Sequence, residues 1–516
     1  MQNQILLIFP PQAKACEPPA GITKIAGVLR ANNQRCQLWD ANSEAQNYLL
    51  EQKQHPKDTW SKRAWKNCKA NRQALREPEL YENQDRYQRA VRDTNRVLTN
   101  SCDDKTVTLS LADYQEAGLS PHESADLLQA ASQYKKSVFF TFYQQRLQDL
   151  LQNSKQSFVG ISLNYLSQAL PAFALAGFIK EEYPDCPLLI GGGLVTSWLR
   201  SPGWQNPFTE LFEEMIAGEG ESALLKCLGC NAQIRHSAPD FDDLPLEEYL
   251  SPGLIIPYSA SSGCYWNRCS FCPEKAEGGS YSKLTSRQVV DDLKKVIHKY
   301  NPTLIHLLDN AVAPSLMRQL IAEPVGADWY GFARVGQELS DPDFCVQLRK
   351  SGCVMLKLGI ESGSQEVLDE MDKGINLKLV EETLAALRTA GIATYVYLLF
   401  GTPAETLDKA RETLAFTVRN AAGIGFLNLA VFNLPQNSQE KASLQIRDFS
   451  TGDLGLYSDF IHPKGWNRKE VRRFLSDEFK VHPVIRPILQ RDPPFFTSNH
   501  AAFMLQLLNS GKKQNG

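Results

Sequence analysis

Residues 261–274 read SSGCYWNRCSFCPE and set Cys264, Cys269 and Cys272 on one short loop. The run before them, IPYSASS at 256–262, reads as a strand. Thiolates bind iron–sulfur clusters, and four is the usual complement. Three closely spaced thiolates leave one iron with an open position, where a substrate or cofactor can bind and receive an electron. A structural zinc ion would want a fourth protein ligand, and no cysteine or histidine near the loop offers one. Gly263 lets the chain turn sharply, and Phe271, just before the third cysteine, is placed to shield a cluster from water.

Downstream of this loop the chain alternates strand and helix. Strands are expected near 256–262, 304–310, 328–335, 354–362, 393–401 and 426–433. Helices fit between them at 285–300, 314–322, 341–351, 364–390 in two pieces, and 404–421. Six such repeats suggest an open, three-quarter version of the parallel barrel, whose active site gathers at the carboxyl ends of the strands. Asp309, Asn310, Arg334, Glu361, Gly401, Thr402 and Pro403 fall at those ends. Each is open to two readings, a ligand contact or a cap on the helix that follows.

With its cysteine loop and these repeats, the chain resembles the radical SAM superfamily. The family pattern is Cys, three residues, Cys, two residues, Cys, with an aromatic before the last cysteine. Here the first gap holds four residues, Tyr265, Trp266, Asn267 and Arg268. LGIESGSQEVLDEMDKG (358–374) looks like the family's fourth-strand motif and LLFGTPAET (398–406) like its later glycine–proline turn; the likeness covers roughly 250–435. It implies a [4Fe–4S] cluster on Cys264, Cys269 and Cys272, and one-electron cleavage of S-adenosylmethionine to methionine and a 5′-deoxyadenosyl radical. By the same resemblance Glu361 would take the amino group or ribose of S-adenosylmethionine and Arg334 its carboxylate. Gly401, Thr402 and Pro403 would bound the adenine, and Asp309 and Asn310 would face cofactor or substrate.

Upstream, QILLIF (4–9), the helical stretch 21–29 and the strand 37–39 make a β-α-β opening. The rhythm resumes with FVGISLN from Phe158, a helix, LLIGGG, EMIAGEG and the helix ESALLKCL. Together these predict an α/β, doubly wound parallel sheet, in which ligands bind beyond the carboxyl ends of the strands. Pro10–Pro11, Asp40, Ser162–Asn164, Gly191–Gly193 and Gly218–Gly220 lie at those ends. Residues 4–42 and 156–227 resemble the cobalamin-binding domain found ahead of many radical SAM domains. That implies a floor for a corrin at Gly191, Gly192, Gly193, Glu219 and Gly220 with Ser162 nearby. The Asp-x-His-x-x-Gly loop that supplies a cobalt ligand in many such domains is not in PPQAKACEPPAG after the first strand.

The expected order is a cobalamin-binding-like domain over 1–235 with a helical insertion at about 50–153, a linker over 236–253, a radical SAM partial (β/α)6 barrel over 254–438, and a C-terminal extension over 439–516. The insertion mixes basic and acidic residues with Trp60, Trp65, Tyr81 and Tyr87, which reads as solvated helices packed through their aromatics rather than a nucleic-acid surface. A formal net charge of −3 over 516 residues gives no electrostatic case for nucleic acid or membrane binding. No apolar run approaches the ~20 residues needed to span a bilayer, so a cytoplasmic location is expected. Of the 12 cysteines, those outside the loop, the Cys227–Cys230 pair included, read as core or bystander residues. Three functions stay in view: a cobalamin-dependent radical SAM methyltransferase; a radical SAM enzyme without cobalamin that performs rearrangement or cyclisation; and a non-enzymatic iron–sulfur protein. Expected partners are a small-molecule or peptide substrate and a reductant such as flavodoxin or ferredoxin. Specificity is expected from the insertion and the C-terminal segment.

Overall fold

The run QILLIF forms the strand Gln4–Phe9, paired on both sides within a five-stranded parallel sheet. Ile5, Leu6, Leu7 and Ile8 are each at most 2 % exposed, as a strand covered on both faces requires. This is a computed structural model describing residues 4–102, 106–151, 156–230, 234–447 and 452–505. Two compact units make up the chain. The first is Met1–Leu254 with Ser450–Leu456, and the second is Ile255–Phe449 with Tyr457–Gly516.

In the first unit the strands are Gln4–Phe9, Arg35–Asp40, Gln156–Ser162, Leu188–Gly191 and Glu214–Ile216, in spatial order second, first, third, fourth, fifth. The order reverses between the first and third strands. A doubly wound sheet opens a crevice at such a point, beyond the strands' carboxyl ends. After the helix Ala41–Glu51 the insertion is mainly helical, with helices Thr59–Ala74, Gln84–Asn100, Ser124–Ser132 and Phe140–Leu151 and a small hairpin of Val107–Leu109 and Tyr114–Glu116. Among its aromatics, Tyr81 meets Tyr87 at 5.2 Å, and Phe142 meets Trp39 of the sheet at 5.9 Å. Trp60 stays 43 % exposed, with the Arg96 guanidinium 4.8 Å from its ring.

Two boundaries need correction. Residues 236–253, expected to be a linker, are part of the first unit. Phe241, Leu244, Tyr249 and Leu250 are buried, Arg30 pairs with Asp240 at 2.9 Å and also with Asp243, and the Tyr249 hydroxyl donates to Asp40 at 2.7 Å. The acidic, proline-bearing composition suggested a solvated tether, but its spaced apolar residues anchor it. The C-terminal extension is likewise not one piece. Asp453 accepts from the Ser124 backbone N–H at 2.7 Å, and Leu454 N–H donates to the His122 carbonyl at 2.9 Å, so this stretch returns to the first unit.

The second unit contains six parallel strands, Ile255–Tyr258, Leu304–Leu307, Asp328–Ala333, Cys353–Glu361, Ala393–Phe400 and Phe426–Val431, paired in sequential order. With intervening helices such as Ser286–Tyr300, Pro314–Ala322, Leu377–Ala390 and Leu407–Arg419 this is the partial (β/α)6 barrel. Helix Ser286–Tyr300 starts at a reciprocal cap between Thr285 and Gln288 and stops at Asn301 in the left-handed conformation. The C-terminal segment supports the barrel: Phe400 packs on Phe479, and the Tyr395 hydroxyl donates to Asp492 at 2.6 Å. No helix among the described residues is long and apolar enough to cross a membrane.

Candidate active site

The first barrel strand ends at Tyr258, earlier than expected. The chain then pairs Ser261–Ser262 antiparallel with Ser282–Lys283. This two-residue ladder is the base of the cysteine loop. Gly263 closes it with φ of +75°, and a Cβ there would lie 2.9 Å from the Ser280 carbonyl oxygen, so both backbone conformation and space require glycine. Asp309, 2 % exposed at the end of the second strand, accepts from the Ala260 backbone N–H at 3.1 Å and from the Ser261 hydroxyl. These bonds fasten the loop to the barrel, and burial pushes the Asp309 carboxyl up. Asn310 donates to Glu274 at 3.1 Å, beside the short helix Pro273–Ala276 that Cys272 caps.

Cys264, Cys269 and Cys272 are all partly exposed thiols. Burial pushes Cys269 and Cys272 up, offset at Cys269 by the Lys373 and Arg334 cations and at Cys272 by backbone N–H groups of Lys275 and Glu274. Three thiols on one loop, with the Lys373 and Arg334 cations beside Cys269, form a donor set that suits a [4Fe–4S] cluster.

Glu361 ends the fourth strand with φ of +68°, a backbone state uncommon outside glycine and typical of residues held in place for function. Its carboxylate pairs with Lys373 at 2.9 Å, both side chains being little more than one-tenth exposed. Gly359 explains how the pair fits, since a Cβ there would stand 2.4 Å from a Glu361 carboxylate oxygen and 3.0 Å from Lys373 Nζ. Lys373 also lies 5.4 Å from the Phe271 ring. Sequence reasoning passed over Lys373, although it ends the quoted motif in EMDKG. Arg334 donates to the carbonyls of Lys373 and Gly374, the latter at 2.8 Å, and its guanidinium lies 3.8 Å from the Trp266 ring centroid. In this arrangement it secures the chain around Lys373.

The fifth strand runs into Gly401, where φ is +82°. Thr402 and Glu405 are fully buried behind it. Glu405 accepts from Gly401 N–H and from the Trp466 indole at 2.8 Å, and His462 bonds the Thr402 carbonyl at 2.8 Å. His462 and Trp466, which come from the C-terminal segment, carried no local signal. Burial pushes the Glu405 carboxyl from 4.5 up to about 7 against the pull of these donors. Between those values the folded chain holds a proton that the unfolded chain releases. The residue's contribution to stability is thus full below about pH 4.5 and falls as pH rises towards 7, by on the order of 3 kcal/mol. Glu405→Gln keeps the acceptor oxygen and removes the titration. In chemical unfolding the variant is expected to gain on the wild type from about pH 5 to about pH 7 and to hold that gain above it; a pH-independent difference would rule out the buried carboxyl as the cause.

In the first unit the glycine-rich strand ends separate into two kinds. Gly192 has φ of +108°, and a Cβ there would lie 2.4 Å from the Leu163 carbonyl oxygen, so chain packing demands glycine. A Cβ at Gly191 would come 3.3 Å from the Ile216 carbonyl oxygen, and one at Gly220 would come 3.2 Å from Ile25. Gly193 and Gly218 have room, with nothing nearer than 3.8 Å. Asn164 ties the ends together, accepting from Gly193 N–H at 3.0 Å and donating to the Ser162 hydroxyl at 3.1 Å. Glu219 pairs with Lys24 at 3.1 Å. The loop after the first strand is fastened by amide side chains that sequence reasoning did not single out: Gln168 donates to Pro10 O, Gln46 to Ala13 O, and Asn42 accepts from Ala13 N–H. Gly193 and Gly218 thus present exposed, bare backbone at the strand ends.

Comparison with known proteins agrees with this geometry. A family model, the Radical SAM superfamily, matches residues 258–417, and this stretch is a radical SAM domain. The anaerobic magnesium-protoporphyrin IX monomethyl ester cyclase of Rubrivivax gelatinosus is 26% identical over 187 residues, covering 34% of this chain and 33% of that protein, so the chain spans about a third of that relative. The hopanoid C-3 methylase of Methylococcus capsulatus is 24% identical over 366 residues, covering 63% of this chain and 68% of that protein. The radical SAM methyltransferase TsrM from Kitasatospora setae, solved with a tryptophan substrate and an S-adenosylmethionine analogue, superposes with a TM-score of 0.56 at 13% identity, covering 100% of each chain. That likeness is one of fold, and it extends to the N-terminal parallel sheet as well as the barrel.

Proposed function

We propose that this chain, with a radical SAM domain at 258–417, is an enzyme that cleaves S-adenosylmethionine reductively and starts radical chemistry on a substrate. The observation that carries this reading is three thiols on a loop locked to the first barrel strand, within reach of a cation–carboxylate pair at the end of the fourth. Cys264, Cys269 and Cys272 would hold a [4Fe–4S] cluster, which when bound supplies one electron to the sulfonium. Phe271 keeps water from that corner. Glu361 and Lys373 offer a carboxylate and an ammonium to the amino acid end of S-adenosylmethionine, and the Gly401–Pro403 turn offers backbone groups to the adenine. A low-potential carrier such as flavodoxin or ferredoxin supplies the electron, in the cytoplasm.

The same reading extends to cobalamin, which when bound supplies a methyl group for transfer. It is favoured by the reversal of strand order in the first sheet and by the open surface at Gly193 and Gly218. The test is reconstitution without oxygen, with dithionite and S-adenosylmethionine, followed by assays for 5′-deoxyadenosine, S-adenosylhomocysteine and protein-bound cobalt. Both nucleoside products with stoichiometric cobalt are expected. Deoxyadenosine without cobalt would leave a radical SAM enzyme of the rearranging or cyclising kind. A fully iron-loaded protein that forms neither product would overturn the assignment.

A further inference from the structure

The extra residue in the cysteine loop has a structural counterpart. The gap from Cys264 to Cys269 carries Trp266, and the chain reverses after it through Asn267, whose φ is +45°. The Trp266 indole N–H donates to the Asp372 carbonyl at 3.1 Å. Its ring has the Arg334 guanidinium at 3.8 Å and that of Arg268 at 5.0 Å from the centroid. Against the ring lies Gly374, with φ of +63°, where a Cβ would stand 2.1 Å from Cζ2 of the indole. Arg334 donates in turn to the carbonyls of Lys373 and Gly374, and Ser270 N–H donates to the Met371 carbonyl at 3.0 Å. Apart from the two guanidinium–indole contacts, each link runs between the cysteine loop, or the arginine stacked on it, and the turn 371–374. That turn carries Lys373, whose ammonium meets Glu361 at 2.9 Å.

We propose that Trp266 is a positioning residue: it braces the lengthened cysteine loop against the turn 371–374 and thereby sets the place of the Lys373–Glu361 pair for S-adenosylmethionine. The brace acts through packing and directed hydrogen bonds. An indole face in contact with a guanidinium is a favourable pairing, and the bare backbone of Gly374 is what allows the ring to approach. This inference rests on the radical SAM reading above, and its test separates the two.

Trp266→Ala, Trp266→Phe, Gly374→Ala and the double variant Trp266→Ala/Gly374→Ala are reconstituted with iron and sulfide. The electron paramagnetic resonance signal of the reduced cluster is then titrated with S-adenosylmethionine, and thermal unfolding is recorded. Trp266→Ala is expected to keep its iron and to bind S-adenosylmethionine about tenfold more weakly, with Trp266→Phe about threefold weaker because it keeps a ring and loses the indole donor. Gly374→Ala is expected to destabilise the wild-type background more than the Trp266→Ala background, where the clash is gone. S-adenosylmethionine binding in Trp266→Ala within about twofold of wild type, or strictly additive effects at 266 and 374, would overturn the brace. If Trp266→Ala fails to hold iron, the phenylalanine variant decides by the same titration. A wild-type cluster whose signal ignores S-adenosylmethionine would instead sink the functional reading, and the 266–374 coupling in unfolding would still judge the brace.

Discussion

Replacing Cys264, Cys269 or Cys272 singly by alanine is expected to reduce 5′-deoxyadenosine formation to background and to strip most of the iron from the chain. The three thiols sit on one loop whose base is fixed by the ladder of Ser261–Ser262 with Ser282–Lys283 and by Asp309. With only three protein ligands, no other thiolate there can take over a lost corner. The remaining cysteines provide the contrast. Cys345 is fully buried with its thiol directed at the Leu339 carbonyl, and Cys227 lies against Glu214 on the first unit's last helix. Cys345→Ala should cost about 1 kcal/mol of stability or a little more through the lost packing and weak hydrogen bond, and Cys227→Ala less. Both should retain wild-type iron and sulfide per chain. Iron and sulfide assays on the five variants give the comparison, and an unchanged iron content in any of the three loop variants would remove that cysteine from the site.

The parallel strands were legible because most are short, predominantly apolar runs closed by a turn residue, and the helices between them carry local start and stop signals. Pro314–Ala322 falls where the periodicity placed it, and Cys353–Glu361 within a residue of expectation. The cysteines were legible for the same reason, since their spacing is local. What escaped was decided across long separations. Lys373 gains its meaning from Glu361 twelve residues earlier and from a loop over a hundred residues upstream, joined through the bond of Trp266 to Asp372. His462 reaches Thr402 across 60 residues. Asp309 and Arg334 were correctly placed at strand ends, yet neither periodicity nor position told ligand contact from scaffold. Asp309 spends its oxygens on Ala260 and Ser261, and Arg334 spends N–H groups on two carbonyls. The segment 236–253 misled because composition reports average polarity, whereas the spaced residues Phe241, Leu244, Tyr249 and Leu250 are buried against the first unit.

The glycines of LLIGGG make the cobalamin reading separable from the folding of the domain that would bind it. Gly192→Ala is expected to destabilise the first unit by about 3 kcal/mol or more, because two penalties coincide. With φ at +108° and ψ at 179°, residue 192 occupies a region essentially reserved for glycine. The new Cβ would also stand 2.4 Å from the Leu163 carbonyl oxygen, the acceptor of the Leu194 N–H at the start of the helix Gly193–Leu199. Relief would push that helix off the sheet and break the Gly193–Asn164 bond with it. Gly193→Ala sits one residue later and behaves oppositely. A methyl there meets only Asn164 atoms at 3.8 Å, and alanine favours a first helical turn, so stability should hold to within about 0.5 kcal/mol. That methyl nevertheless occupies the open surface where a corrin would lie. If cobalamin rests there, Gly193→Ala lowers cobalt per chain while denaturant unfolding and iron content stay at wild-type values. Full cobalt loading in Gly193→Ala would place the ligand elsewhere on the unit, and the absence of cobalt in the wild type would leave Gly192 as a residue of architecture alone.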